Sequence, residues 1–257
     1  MARSRLAALV LAAVFAIFAP HAQAENGPLR ILCSNGIRAA VEQLTPEAEK
    51  AIGRKLSIEF SASTALKKEI DAGAPFDLTI LTPAIVDELA KSGKVVAGST
   101  ATLASIDLGV GIKAGSPKAD VSTPEGMKKR LLAAKSVTWT EGGAASGATM
   151  EMLKALGIAD QMKPKIVLQK TPGRASEALA AGENELTFGP ISEIQTVKGV
   201  EVLGLFPKEY QKPVVMTAGV GAQAKDAAAA KAMVAFLTSA KAAPAMKAAG
   251  MKPAGKN

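Results

Sequence analysis

Leu56-Ser-Ile-Glu-Phe-Ser-Ala-Ser-Thr-Ala-Leu-Lys-Lys-Glu-Ile-Asp-Ala-Gly-Ala-Pro-Phe-Asp-Leu-Thr-Ile-Leu81 holds the pattern that decides the fold. Leu56–Phe60 alternates apolar and polar residues, as a half-buried strand does, and Ser61-Ala62-Ser63-Thr64 is a polar turn. Leu66–Ala72 places Leu66 and Ile70 one helical turn apart, and the apolar run Asp77–Leu81 is a second strand. Upstream, Leu29–Cys33 is a strand ended by Ser34-Asn35-Gly36, and a helical face of Ile37, Ala40, Val41 and Leu44 follows. Thr45-Pro46 reads as a cap followed by proline at a first helical position, which predicts a second helix running to Gly53. Downstream, Thr82-Pro83 opens a helix ending near Ser92-Gly93. Strand, polar loop and helix thus recur three times, which argues for βαβ units and an α/β protein with a parallel-dominated sheet.

The remainder continues this alternation. Strands are expected at Ile106–Ile112, Ser136–Thr140, Ile166–Gln169, Glu185–Phe188 and Val214–Val220. Helices are expected at Thr123–Ala134, Ala148–Leu156, Arg174–Ala181, Asp226–Leu237 and Ala240–Ala249. With 257 residues, 48% of them hydrophobic, the chain can bury one large or two modest cores. Composition then removes whole classes of function. His21 is the only histidine and Cys33 the only cysteine, so no intrachain disulfide forms. His21 lies in a segment expected to be removed, which excludes a Ser-His-Asp triad, a Cys-His pair and a histidine zinc site. Cys33, at the end of an apolar strand, reads as a buried thiol.

That segment is the N-terminus. Arg3 and Arg5 precede an apolar run of 14 residues, Leu6–Ala19, followed by Pro20 and the small-residue site Ala22-Gln23-Ala24. A spanning helix needs ~20 apolar residues, so residues 1–24 read as a signal peptide cleaved after Ala24, and the mature chain is expected in the periplasm. The formal charge of +8 is carried by single lysines such as Lys225, Lys231, Lys241 and Lys247 on alanine-rich helices. No basic block is interleaved with aromatics, so no nucleic-acid partner is expected.

Several polar loops fall between a strand end and a helix start: Ser34-Asn35-Gly36, Ser61–Thr64, Gly142–Gly147 and the turn Thr171–Arg174. Helix N-termini carry unpaired N–H groups and partial positive charge. Several of them converging at the carboxyl ends of a sheet would hold an anion without a charged side chain. Each loop alone is more often just an ordinary cap, because Ser, Thr and Asn are the common capping residues. Only their recurrence at one topological place points to a site. The glycine-rich loop lacks both the P-loop lysine and the dinucleotide spacing, so no nucleotide cofactor is expected.

Phe60-Ser-Ala-Ser-Thr-Ala-Leu66, with Ile70-Asp-Ala-Gly-Ala-Pro75 and Asp77-Leu78, resembles the periplasmic molybdate-binding proteins, the substrate-binding proteins of ABC transporters with the type II periplasmic binding fold. The resemblance implies two α/β lobes joined by two crossover strands near Ile106–Ile112 and Val214–Val220. Residues 25–102 with 221–257 would form lobe one, and residues 103–220 lobe two. It also implies a monomer that binds a small anion between the lobes, delivers it to an ABC permease and catalyses nothing. Ser63 matches one oxyanion-binding serine of that family. The other serine falls on Gly36, which leaves Ser34 and Asn35 as neighbouring donors beside Thr64. Ala145, Ser146 and Gly147 fall on a loop of backbone donors, and Ala175 near a second one. A tyrosine of the family has no counterpart, since Leu186-Thr187-Phe188-Gly189-Pro190 stands in its region. The expected ligand is therefore a small oxyanion other than molybdate or an organic anion, with Arg174 or Arg38 as a charged anchor for a carboxylate. An exported enzyme or sensor component on the same scaffold is the alternative, although no acid–base constellation is apparent in the sequence.

Overall fold

In the computed structural model, residues 27–171 and 173–254 are described; the expected signal peptide lies outside them. The strands are β1 (Leu29–Ser34), β2 (Leu56–Ser61), β3 (Leu78–Leu81), β4 (Ala101–Ile106), β5 (Leu108–Lys113), β6 (Val137–Thr140), β7 (Ile166–Gln169), β8 (Leu186–Pro190), β9 (Val200–Leu205), β10 (Val214–Val220) and β11 (Met251–Pro253). The helices are α1 (Arg38–Ile52), α2 (Ser63–Asp71), α3 (Pro83–Lys91), α4 (Pro124–Ala133), α5 (Ser146–Ala155), α6 (Ala159–Met162), α7 (Arg174–Ala180), α8 (Ile191–Ile194), α9 (Ala227–Leu237) and α10 (Ala243–Ala248).

Two mixed sheets result, ordered β11-β4-β10-β3-β1-β2 and β7-β6-β8-β5-β9. β1 runs parallel to β2 and β3, and β6 runs parallel to β7 and β8, while β5 and β10 pair antiparallel with their neighbours. β1 is buried at every position but Arg30 and apolar from Ile31 to Cys33, as expected of an interior strand covered on both faces, before it ends in the polar Ser34. Leu66 and Ile70 of α2 pack with Leu32, Leu81, Val86, Leu89 and Val95 under the first sheet. Each such side chain removed from water contributes about 1.5–3 kcal/mol. The α/β class expected from the alternation is the observed one, and so is the two-lobed form implied by the resemblance.

Particular elements differ from their sequence reading. α1 is continuous through Pro46: Thr45 turns its hydroxyl back onto the Val41 carbonyl at 2.8 Å instead of capping a new helix. Ile106–Ile112, expected as one strand, divides at Asp107 between β4 in the first sheet and β5 in the second. β10 also belongs to the first sheet, so the chain passes between sheets at Asp107 and again within residues 206–213. The expected division, 25–102 with 221–257 against 103–220, places β4 only partly and β10 not at all with the sheet that holds them. β9, β11 and all of β4 but Ile106 completed the sheets without being anticipated.

Glycines in β5 fix the position of α8. A Cβ on Gly109 would stand 2.8 Å from Ile191 Cγ2, and one on Gly111 would meet Thr187 Cγ2 at 2.6 Å and Ile194 Cγ2 at 2.8 Å. The short helix lies on the strand because those two positions carry no side chain. Gly111→Ala should therefore cost about 1–3 kcal/mol through overpacking, read as a fall in the thermal midpoint of ~2–4 °C per kcal/mol. An unchanged midpoint would mean that α8 can rise off β5 freely.

Candidate functional site

The carboxyl ends of β1, β2, β3, β6 and β8 meet around one cavity of about 190 Å³. Drug-sized ligands occupy ~300–1,000 Å³, so this space suits an ion or a small acid. The pairing of Ser34 with Ser61 across β1 and β2 sets the first two polar loops side by side. The first sheet contributes Ser34, Asn35, Ala62, Ser63, Thr64, Thr82 and Ile85 to the cavity wall. The second contributes Trp139, Thr140, the Gly142–Ala145 turn, Phe188, Gly189, Pro190 and Glu193.

Ser63 differs from an ordinary cap. Ala62 holds the capping position of α2, and the amides of Ala65 and Leu66 bond its carbonyl at 2.9 and 3.0 Å. Ser63 thus begins the helix with an amide that has no intrahelical acceptor. Its hydroxyl oxygen is buried at the cavity wall and has no hydrogen-bond partner. A buried polar group left unmatched is costly, so this hydroxyl is placed for a partner that the chain does not supply.

The expected site residues separate into two sets. Ser34, Asn35, Ser63, Thr64 and Ala145 come together at the cavity. Gly36 lies buried behind it, where a Cβ would stand 2.6 Å from Met216 Cε and 3.8 Å from Glu193 Oε1. Ser146 is turned away, its hydroxyl donating to the Thr140 carbonyl at 2.9 Å to close the glycine-rich turn. Gly147 is exposed on α5, and Ala175 is buried in α7; neither is part of the cavity wall. Arg174 is not an anchor here, because it forks onto Glu183 at 2.6 and 2.7 Å outside the cavity. Arg38 pairs with Glu42 at 2.8 Å and lies over the Phe60 ring, also outside the wall.

Glu193 is the group the sequence reading missed. Among the described residues it is the only ionisable side chain in the cavity wall, and it makes no hydrogen bond or ion pair. α8 is fixed beside the first loop by the Ser192 hydroxyl, which donates to the Gly36 carbonyl at 2.8 Å. Loss of hydration in these surroundings pushes the Glu193 carboxyl up to about 7. Between the ordinary carboxylate range and pH 7 the native chain then holds a proton that the unfolded chain has lost, so stability falls as pH rises through that window. Glu193→Gln should raise the thermal midpoint at pH 8 and leave it unchanged at pH 4. An equal effect at both values would show that its charge is not penalised by the fold.

The comparisons with known proteins agree with this architecture. The model for bacterial extracellular solute-binding proteins matches residues 29–252. The chain is 28% identical over 259 residues to an aconitate isomerase from Pseudomonas sp, covering 97% of each protein. It is 27% identical over 252 residues to the molybdate-binding protein ModA of Azotobacter vinelandii, covering 95% of this chain and 97% of that one. The solved periplasmic molybdate-binding protein of Azotobacter vinelandii superposes with a TM-score of 0.74 at 22% identity, over 87% of this chain and 98% of its own, a likeness of fold. The resemblance read from Phe60–Leu81 is borne out, and the chain belongs to the family of bacterial extracellular solute-binding proteins.

Proposed function

We propose that this protein is an exported receptor whose cleft takes one small organic anion, a carboxylate with an apolar carbon part, and delivers it as a monomer to an ABC permease. The carrying observation is the make-up of the cavity wall. The Ser34 hydroxyl and the hydroxyls and helix-start amides of Ser63 and Thr64 face an apolar side of Trp139, Phe188 and Pro190, with no cation in the wall among the described residues. A tetrahedral metal oxyanion needs nearly every oxygen matched by a donor. Here Phe188 and Pro190 offer no side-chain donor, and proline lacks even the backbone N–H. A carboxylate fits better, since its charged end needs few donors and its carbon part suits the aromatic wall.

A second reading, an isomerase of a small unsaturated carboxylate on the same scaffold, is favoured by Glu193 in the wall and by the relative named aconitate isomerase. The deciding experiment for the receptor reading is a thermal-shift and calorimetric panel of di- and tricarboxylates against molybdate, tungstate and sulfate. A carboxylate at 100 times its Kd should add ~2.7 kcal/mol of stability. Submicromolar binding of molybdate or tungstate, with no response to any carboxylate, would overturn it. Export is supported by the basic start, the short apolar run and Ala22-Gln23-Ala24. Sequencing the secreted protein should give Glu25 as its first residue, and a start at Met1 would refute cleavage.

A further inference from the structure

We infer that Glu193 is the acid–base group of the cleft and that the protein shifts a proton between two carbons of a bound unsaturated carboxylate. This rests on reading the cleft as a carboxylate site.

Position comes first. Glu193 borders the cavity from the second sheet, and its Oε1 lies 3.8 Å from the point above Gly36 that the Ser34 hydroxyl also approaches to 3.8 Å. A carboxylate held by the Ser63 hydroxyl and the first amides of α2 would therefore lie between the donors of one sheet and a single carboxyl of the other. An acidic side chain adds no attraction for an anion and repels it once ionised, so binding alone does not explain Glu193 in the wall. The glycines of β5 and the Ser192 bond to Gly36 nonetheless hold this residue there. The charged groups on the surrounding elements do not neutralise it. Lys252 is taken by Asp107 at 2.7 Å, and Arg38, which follows the first loop, by Glu42 at 2.8 Å. Lys113 and Glu201 lie at the far end of the β5–β9 pairing, whereas Leu108, at the near end, is opposite Pro190.

The chemistry follows from such a group. Glu193, as carboxylate, takes a proton from a CH2 lying between a carboxylate and a C=C bond. The C–H electron pair spreads through the alkene and the carboxylate, whose growing oxygen charge the Ser63 hydroxyl and α2 amides meet. The same carboxyl, now protonated, returns the proton to the far alkene carbon, and the double bond moves by one position. Atoms and electrons balance without cofactor, oxidant or second substrate. A carboxyl titrating near neutrality is suited to both halves of this transfer.

The test incubates the purified protein separately with cis-aconitate and trans-aconitate at pH 7 and follows interconversion by proton NMR. Binding is measured in parallel by calorimetry. Wild type should interconvert the isomers, with a rate that rises with pH through about 7. Glu193→Gln should bind the acids, fold normally and lose ~10²–10⁴-fold in rate, while Glu193→Asp keeps part of it. Binding without interconversion, or a wild-type rate in Glu193→Gln, overturns the proton-transfer role and leaves the receptor reading standing. Failure of every carboxylate to bind removes both.

Discussion

Ser63→Ala should weaken binding of the cleft's anion by roughly ten- to a hundredfold while leaving the ligand-free protein at least as stable as wild type. A hydrogen bond to a charged partner is worth about 1.5–3 kcal/mol, which sets that range. Sequence alone suggests an accompanying stability loss, because a serine at a helix start usually caps it. The structure removes that loss: Ala62 occupies the capping position, and the Ser63 hydroxyl is buried without a partner. Replacing an unmatched buried oxygen with a methyl group relieves the fold rather than straining it. Thr123→Ala supplies the opposite behaviour. Thr123 caps α4 by accepting from the Gly126 amide at 3.1 Å, outside the cavity wall. Its loss should cost about 1 kcal/mol of stability and nothing in affinity. Calorimetry and thermal melts on the two variants separate the roles. Equal affinity in wild type and Ser63→Ala would reject the hydroxyl as a ligand donor.

What was legible in the sequence and what was not divides along physical lines. The βαβ alternation is readable because each element is long enough to show its period: Leu66 and Ile70 on α2, or the unbroken apolar run of β3. The polar loops are readable because small hydroxyl residues recur at one topological place. α8 is four residues long, a single turn, and presents no period at all. Glu193 was thus hidden although it enters the cavity wall. The available signal was one acidic residue between two isoleucines, directly after the Phe188-Gly189-Pro190 strand end. β11 was hidden in a similar way, as a three-residue edge strand ending in proline. Arg174 illustrates the reverse error. An arginine at a helix start looks like an anion anchor, but local sequence does not show that the following turn brings Glu183 back onto it. Gly36 reads as a missing donor. In three dimensions the space above it is shared by Met216 and the Glu193 carboxyl, so one absent hydroxyl is answered by a group from the other sheet.

Trp139→Ala should be the most destabilising substitution in the cleft, and Trp139→Phe the most informative. Trp139 is 3% exposed on β6, and its ring stands 5.9 Å from Phe188, which meets Phe206 edge-on at 5.7 Å. Truncating such a side chain to alanine costs about 3–5 kcal/mol, since the lost contacts leave a void that the neighbours fill only in part. At ~2–4 °C per kcal/mol for a chain of this size, the thermal midpoint should drop by roughly 6–20 °C. The phenylalanine variant keeps most of the packing and changes the cavity wall instead. If the ligand has a carbon part lying on this wall, Trp139→Phe should weaken a carboxylate several-fold while its small hydrophilic competitors bind no worse. Were the ligand a compact oxyanion held only by the Ser63 side, its affinity would be indifferent to the substitution. Trp139 is also the only tryptophan in the chain, so its emission in the wild-type protein should respond to cleft occupancy. Carboxylate titrations that raise the melting midpoint with no change in that emission would place the bound molecule away from the aromatic wall and end the case for an organic ligand there.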